Sequence, residues 1–267
     1  MRIALGTQGW VYDDWVGTMY DAAARPESYL RAYAQEFGTV EIDSTFYGTP
    51  APERACKWAA TVPAGFTFSC KMTREVTHEC RLRDCTGLIA EFYDAMAAFG
   101  EKLGCVLVQF DATFVRETEE AALRAALDAF PARVRTAFEF RDPAWYDADI
   151  QALLEAHGHA LAVADAPFVP RDVLPSVLAR STVDFAYLRW IGDHDAFTRF
   201  HEVQCARDGE IAWWSRAIAR ASPRLKVIYG YVNNHYAGHS PATVRALYGA
   251  LGVAHARPPR IVQTTLF

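Results

Sequence analysis

Apolar residues along the chain fall into two alternating patterns. Short runs are apolar at successive positions, as in Val106-Leu107-Val108 and Leu161-Ala162-Val163. A run that is apolar on both faces suits a strand of a parallel sheet covered by helices. Such runs predict strands over 2–6, 39–42, 66–71, 105–109, 135–140, 160–165, 185–190 and 226–232. Between them, apolar positions recur at helical spacing over 28–37, 52–60, 86–103, 117–130, 147–157, 208–221 and 241–251, with a weaker segment over 172–179. Pro52 sits where a first-turn proline fits. Gly104 and Gly158 follow helical segments directly, as C-terminal caps do.

Eight strand–helix units in one uninterrupted series predict an α/β fold, a single TIM-type (β/α)8 barrel. An open doubly wound sheet stays the alternative, because strand order is not written in a sequence. No Gly/Ser linker or charge block divides the chain. The barrel is therefore expected over residues 1–256, followed by an extended C-terminal tail over 257–267, where Pro258-Pro259 precludes helix.

Composition narrows the picture. The chain has 267 residues, 51% of them hydrophobic, which is ample for a packed core. A net charge of −5 argues against a generally basic nucleic-acid binder but leaves room for a local basic pocket. Only four of the 27 lysines and arginines are lysines: Lys57, Lys71, Lys102 and Lys226. A lysine kept in so arginine-rich a chain is a candidate for chemistry that arginine cannot perform. The six cysteines form no Cys-x-x-Cys pair and match no zinc spacing. With no leader-like start and no apolar run near 18 residues, the expectation is a cytoplasmic protein with reduced thiols and no membrane association.

On a barrel, chemistry gathers at the C-terminal strand ends. The first strand leads to Gln8 and Trp10, and the second to Glu41 and Asp43. Lys71 ends the third, with Thr77 and His78 in its loop, and Gln109 ends the fourth. Glu139, Arg141 and Trp145 stand at the fifth, Asp165 at the sixth, Arg189 at the seventh, and Asn233 and Asn234 after the eighth. In Val40-Glu41-Ile42-Asp43 and Phe138-Glu139-Phe140-Arg141, strand alternation sets two apolar residues against two charged ones, Asp43 sharing the face of Glu41 only if the strand runs that far. Taken singly, each charge is equally an internal ion pair, Glu41 with Lys71 or Glu139 with Arg141 or Arg189. Taken together, a ring of such groups on one face would be costly to bury without a use.

These residues carry a resemblance. Gly6-Thr7-Gln8-Gly9-Trp10 with Trp15 and Tyr20 resembles the opening of the YecE-like proteins, called domain of unknown function 72. So do Val40-Glu41-Ile42-Asp43-Ser44-Thr45-Phe46-Tyr47 with Pro50 and Trp58, and Phe66-x-Phe68-x-x-Lys71 with Thr77-His78. Phe138-Glu139-Phe140-Arg141 with Trp145, Tyr187-x-Arg189 and Asn233-Asn234 complete it over almost the whole chain. The resemblance implies a TIM-type barrel and supplies no activity. The sequence departs from the family pattern at Trp190-Ile191-Gly192, where a His-Gly is usual, and at Asp111-Ala112, where a proline pair is common.

Several chemistries can be tested against these residues. The commonest retaining glycosidase barrels need carboxylates after the fourth and seventh strands, where Gln109 and Arg189 stand instead. A Schiff-base lyase needs a lysine in an apolar pocket, and Lys71 is the candidate. Glu41, His78, Glu139 and Asp165 could ligate a metal, but Lys71, Arg141 and Arg189 would repel it, so no metal or other cofactor is expected. The positive groups favour a small anionic or sugar-like ligand, with Arg141 and Arg189 clamping a phosphate or carboxylate. Lys71, Glu139 and Glu41 are then the acid–base candidates. Trp10, Tyr47 and Trp145 offer stacking walls, and Gln8, His78, Gln109, Asp165 and Asn233 offer polar contacts. His194 and His201, flanking the loop after the seventh strand, could approach the mouth, with a place on the surface as the expectation.

The last five residues, Gln263-Thr264-Thr265-Leu266-Phe267, resemble the bacterial sliding-clamp-binding pentapeptide, with Thr264 where leucine is usual. Gln263, Leu266 and Phe267 would then contact a DNA sliding clamp, with the apolar pair filling a pocket of that partner. This leaves three classes open: an enzyme on a small anion, a nuclease-like barrel recruited through its tail, and a ligand-binding barrel without turnover.

Overall fold

The computed structural model describes residues 1–253. Its strands are β1 (Arg2–Thr7), β2 (Thr39–Ile42), β3 (Thr67–Lys71), β4 (Leu103–Gln109), β5 (Thr136–Glu139), β6 (Ala160–Leu161), β7 (Val163–Asp165), β8 (Phe185–Trp190) and β9 (Val227–Val232). The α-helices are α1 (Pro26–Tyr33), α2 (Pro52–Thr61), α3 (Thr86–Met96), α4 (Arg116–Ala126), α5 (Ala148–Ala156), α6 (Leu174–Arg180), α7 (Asp208–Ala219) and α8 (Ser240–Leu251).

The strand pairings are parallel and form two sheets, ordered β1-β9-β8-β7 and β2-β3-β4-β5-β6. The fold is thus α/β with helices between successive strands. Where one continuous closed ladder was expected, the ladder is interrupted at two seams. The predicted strand 160–165 is split at Ala162, and its halves β6 and β7 pair in different sheets. Ala162 itself donates its N–H to the Phe138 carbonyl at 2.8 Å. At the other seam, Gly9 donates its N–H to the Glu41 carbonyl at 2.8 Å, and Gln8 bridges Glu41. A Cβ on Gly6 would lie 2.1 Å from the Thr39 carbonyl oxygen, so only glycine lets β1 pass β2 this closely.

Strand alternation sorts the core into two parts. In β9, Val227, Tyr229 and Tyr231 join a cluster with Ala4, Leu107, Ala137, Ala160 and Tyr187, drawn from both sheets. Ile228 and Val232 face the other way, into the larger cluster shared with the helices. The Tyr231 hydroxyl lies 2.7 Å from Ser69 Oγ and 2.8 Å from Thr39 Oγ1, a polar link between the sheets.

Helix ends follow local chemistry. Asp147 accepts the Asp149 N–H at the start of α5. Lys102 Nζ donates to the carbonyls of Ala59 at 2.6 Å and Val62 at 2.7 Å, closing the end of α2. The segment predicted as one helix over 86–103 is broken at Gly100, whose φ of 56° is left-handed. Gly104 is therefore not a helix cap but a residue of β4, where a Cβ would crowd Tyr229 and Phe68. Gly158, with φ of 81°, does follow α5 as a terminator. Among the described residues no helix is long and apolar enough to cross a membrane.

Candidate functional site

In β2, Val40 and Ile42 pack toward the helices, so Glu41 points to the opposite side. Phe138 and Phe140 do the same for Glu139. Both carboxylates are 0% exposed. Buried charges of one sign at this depth need a partner, and Arg189 of β8 supplies it. Its Nε donates to Glu41 Oε2 at 3.0 Å and its Nη2 to Glu41 Oε1 at 2.6 Å. Its Nη1 donates to Glu139 Oε2 at 3.0 Å, and the Tyr187 hydroxyl donates to Glu41 Oε2 at 2.6 Å. Burial works against the guanidinium, but Glu139 and Glu41 more than offset it, so Arg189 is held protonated well above the ordinary arginine range. Glu139 thus takes Arg189 over Arg141, whereas Glu41 pairs with Arg189 and not, as the sequence suggested, with Lys71.

That choice leaves two cations over. A cavity of about 180 Å³ opens at the C-terminal strand ends. Gln8, Lys71, Gln109, Arg141, Arg189 and Asn233 line it, together with Asp43, Phe46, Tyr47, Ile191 and His194. Among the described residues, neither Lys71 nor Arg141 has a carboxylate within 4.0 Å, and neither side chain makes a hydrogen bond. Lys71 Nζ lies 4.1 Å from the centre of the Phe46 ring, and the Arg141 guanidinium lies 5.2 Å from that of Phe168. Burial, with the Arg189 charge behind it, pushes the Lys71 amine below the usual lysine range, against the pull of Asp43, Glu41 and Glu139.

Asp43 is the residue the sequence placed at a strand end without giving it a role. The strand stops at Ile42, yet the half-buried Asp43 side chain still reaches to 3.7 Å from Arg189 Nη2. Burial and the Glu41 carboxylate push it up to about 7, although Arg189 and Lys71 pull the other way. Its carboxyl is thus pushed up beside a lysine whose amine is pushed down. Gln8 is buried, and its Oε1 accepts from Asn233 Nδ2 at 2.7 Å. Gln8 Nε2 and Arg141 Nε are buried donors without a partner among the described residues, the kind of atom that a ligand or water satisfies.

The remaining expected residues are distributed differently. Tyr47 is 84% exposed at the rim, free to contact a ligand. Gln109 lines the cavity but turns its Nε2 to the Phe110 carbonyl. Trp10 packs edge-on against Trp58 and is not a wall of the cavity. Trp145 is fully buried, stacked on Phe140 at 4.3 Å, with Nε1 donating to the Phe114 carbonyl, so it too serves packing. His78 sits against Phe46 and accepts or donates with Thr77 Oγ1 at 2.8 Å, outside the cavity lining. It belongs to a π-turn, Glu75–Glu79, followed by left-handed Arg81, Leu82 and Asp84, none of which the apolar pattern signalled. Asp165 lies in a separate cavity, where it accepts from Arg171, Trp214 Nε1 and Tyr236. His194, expected on the surface, is exposed and also lines the site cavity. Gln263, Leu266 and Phe267 lie outside the described residues. No group of three His, Cys, Asp or Glu side chains is arranged to hold a metal among the described residues. A larger cavity of about 570 Å³ opens beside Arg135 and Asp184 at the opposite strand ends, away from all of these groups.

Comparison with known proteins identifies the family and agrees with the α/β fold. Residues 4–265 match the family described as "Protein of unknown function DUF72". The chain is 29% identical over 144 residues to the UPF0759 protein YecE of Escherichia coli K12, a match that takes in 54% of this chain and 50% of that protein. The chain thus spans about half the length of that relative. It is 23% identical over 256 residues to the UPF0759 protein YunF of Bacillus subtilis, covering 88% of this chain and 90% of that one. The fold is similar to a DUF72 family protein of Thermotoga maritima, with a TM-score of 0.77, 24% identity and coverage of 92% and 97%. A DUF72 family protein of Enterococcus faecalis gives 0.73, 24%, 95% and 98%.

Proposed function

The chain belongs to the DUF72 family, and from that premise we propose that its strand-end cavity binds a small ligand bearing a carboxylate or phosphate and acts on it by acid–base chemistry. One observation carries this reading. Lys71 and Arg141 line one small cavity as cations without carboxylate partners, while Glu41 and Glu139 are spent on Arg189. Arg141, with Gln8 Nε2 nearby in the lining, is the anion-holding group, and Lys71 and Asp43 face the reacting end. The Glu41–Arg189–Glu139 frame positions these groups, with Arg189 alone of the three in the cavity lining. At about 180 Å³ the cavity lies below the roughly 300–1,000 Å³ of sites for drug-sized molecules, which favours a ligand of a few heavy atoms.

The same reading takes the two sheets as halves of one eight-unit barrel, its seams at Gly6–Thr39 and at Ala162. The buried cluster shared by both sheets supports this, as do the parallel bridge Gln8–Glu41 and the continuity of β6 into β7. The site then lies where barrel enzymes keep theirs.

Isothermal titration of the full chain with inorganic phosphate and with acetate tests the binding. Saturable binding to at least one anion is expected, with loss in Arg141→Met and weakening in Lys71→Met. Binding that is absent at millimolar anion, or that survives Arg141→Met unchanged, overturns the reading.

A further inference from the structure

We propose that Lys71 is a covalent nucleophile, forming an imine with a small aldehyde, ketone or 2-oxo acid whose carboxylate or phosphate sits on Arg141. This rests on the anion site proposed above and gives it a substrate class. The argument begins with the four lysines. Lys57 is exposed on α2. Lys102 is committed to two carbonyls at the end of that helix. Lys226 is 79% exposed beside Asp184. Lys71 alone among them enters a cavity, with its amine over the Phe46 ring and no acceptor among the described residues. An ion-pairing role would be served as well by arginine, which supplies 23 of the chain's 27 Lys and Arg residues. Nucleophilic attack on a carbonyl would not, because guanidinium stays protonated. Desolvation beside another cation is the arrangement that frees a lysine amine for this task, and burial with Arg189 behind the amine provides both here.

Asp43 completes the step. The unprotonated Lys71 amine attacks the carbonyl carbon, and the N–C bond forms as the C=O π pair moves to oxygen. That oxygen takes the Asp43 proton, and the nitrogen returns one to Asp43, which gives a neutral carbinolamine. Asp43 then protonates the hydroxyl, the C–O bond breaks, water leaves, and the nitrogen lone pair closes the protonated imine. Asp43 must both give and take a proton near neutrality, and its carboxyl is poised at about 7.

Reductive trapping reads this directly on the unaltered chain. The protein is incubated separately with pyruvate, glyceraldehyde 3-phosphate and acetaldehyde, reduced with borohydride, and mapped by peptide mass. The expected result is one adduct per chain from an anionic carbonyl, on Lys71, at about tenfold or more over Lys57, as a positioned pair reacts ahead of an exposed one. Phosphate should protect, and Lys71→Arg should lose the adduct while keeping its circular dichroism spectrum. If phosphate binds but label is absent from Lys71, or is spread over Lys57, Lys226 and the N-terminus, the nucleophile is refuted and the anion site stands. If acetaldehyde labels Lys71 as well as the anionic probes do, and phosphate does not bind, the anion site and the substrate class both fall.

Discussion

Arg189→Met isolates the energetics on which the site rests. The methionine keeps most of the side-chain length and removes the charge. In the native chain Arg189 is 5% exposed and reaches two carboxylates that are each 0% exposed. Its Nε and Nη2 take both oxygens of Glu41, and its Nη1 takes Glu139. After the substitution Glu41 keeps only the Tyr187 hydroxyl, and Glu139 keeps no partner from this group. Breaking one buried pair costs about 3–5 kcal/mol because the surviving charge is left uncompensated. Two carboxylates depend on the one cation here, so the upper end is expected. That loss corresponds to a melting temperature lower by roughly 10 °C or more for a chain of this size. The penalty belongs to ionised carboxylates in a low-dielectric surround, so it should shrink as protonation removes the charge. Urea unfolding followed by tryptophan fluorescence at pH 8 and pH 5 should show the larger loss at pH 8. The triple variant Glu41→Gln, Glu139→Gln, Arg189→Met should recover at least half of it. A loss below about 1 kcal/mol, the range of exposed pairs, would refute the account of Arg189 as the cation that compensates both carboxylates. So would a loss equal at both pH values.

Three further outcomes follow from other parts of the chain. His159 is fully buried against Phe130 and Phe138, and burial with the nearby His157 charge pushes its imidazole down to about 4. The unfolded chain takes up that proton first, so stability should fall as pH drops from about 6.5 toward 4, by up to about 3 kcal/mol. His159→Phe should remove that part of the acid loss in urea titrations, and an acid limb identical to the native one would contradict it. Gly6→Ala should destabilise by at least about 1–3 kcal/mol, because the obstacle is the Thr39 carbonyl and not a movable side chain; Gly38→Ala, where nothing stands within 4 Å and the backbone is not left-handed, should cost less. Acylation of Lys71 by acetic anhydride, mapped by peptide, should reach its half-maximal rate at lower pH than that of exposed Lys57, since the Lys71 amine is pushed down. Coincident profiles would deny that shift.

What the sequence made legible, and what it left hidden, divides along a physical line. Period is local, so the strand–helix alternation could be read directly. Strands 39–42 and 185–190 were placed with their observed ends. The faces could be read too: Glu41 and Glu139 stand opposite their apolar neighbours as alternation requires. Pairing is not local. Nothing in Val40-Glu41-Ile42-Asp43 says that its partner lies 148 residues away in Arg189 and not in Lys71. Aromatic residues were ambiguous for a similar reason. A tryptophan buries equally well against a ligand or against a neighbouring ring, and Trp10 and Trp145 took the second course. The left-handed run Arg81, Leu82 and Asp84 contains no glycine to betray it. It is held by tertiary contacts, Arg81 to Glu119 and to Thr113, which no local rule records. Composition, by contrast, carried one non-local message. Of the four lysines, Lys57 and Lys226 are exposed, and only Lys71 and Lys102 sit where the choice over arginine bears on structure. Lys102 directs one ammonium to two carbonyls at once. Lys71, with neither carbonyl nor carboxylate to satisfy it, is left with deprotonation as the property that arginine lacks.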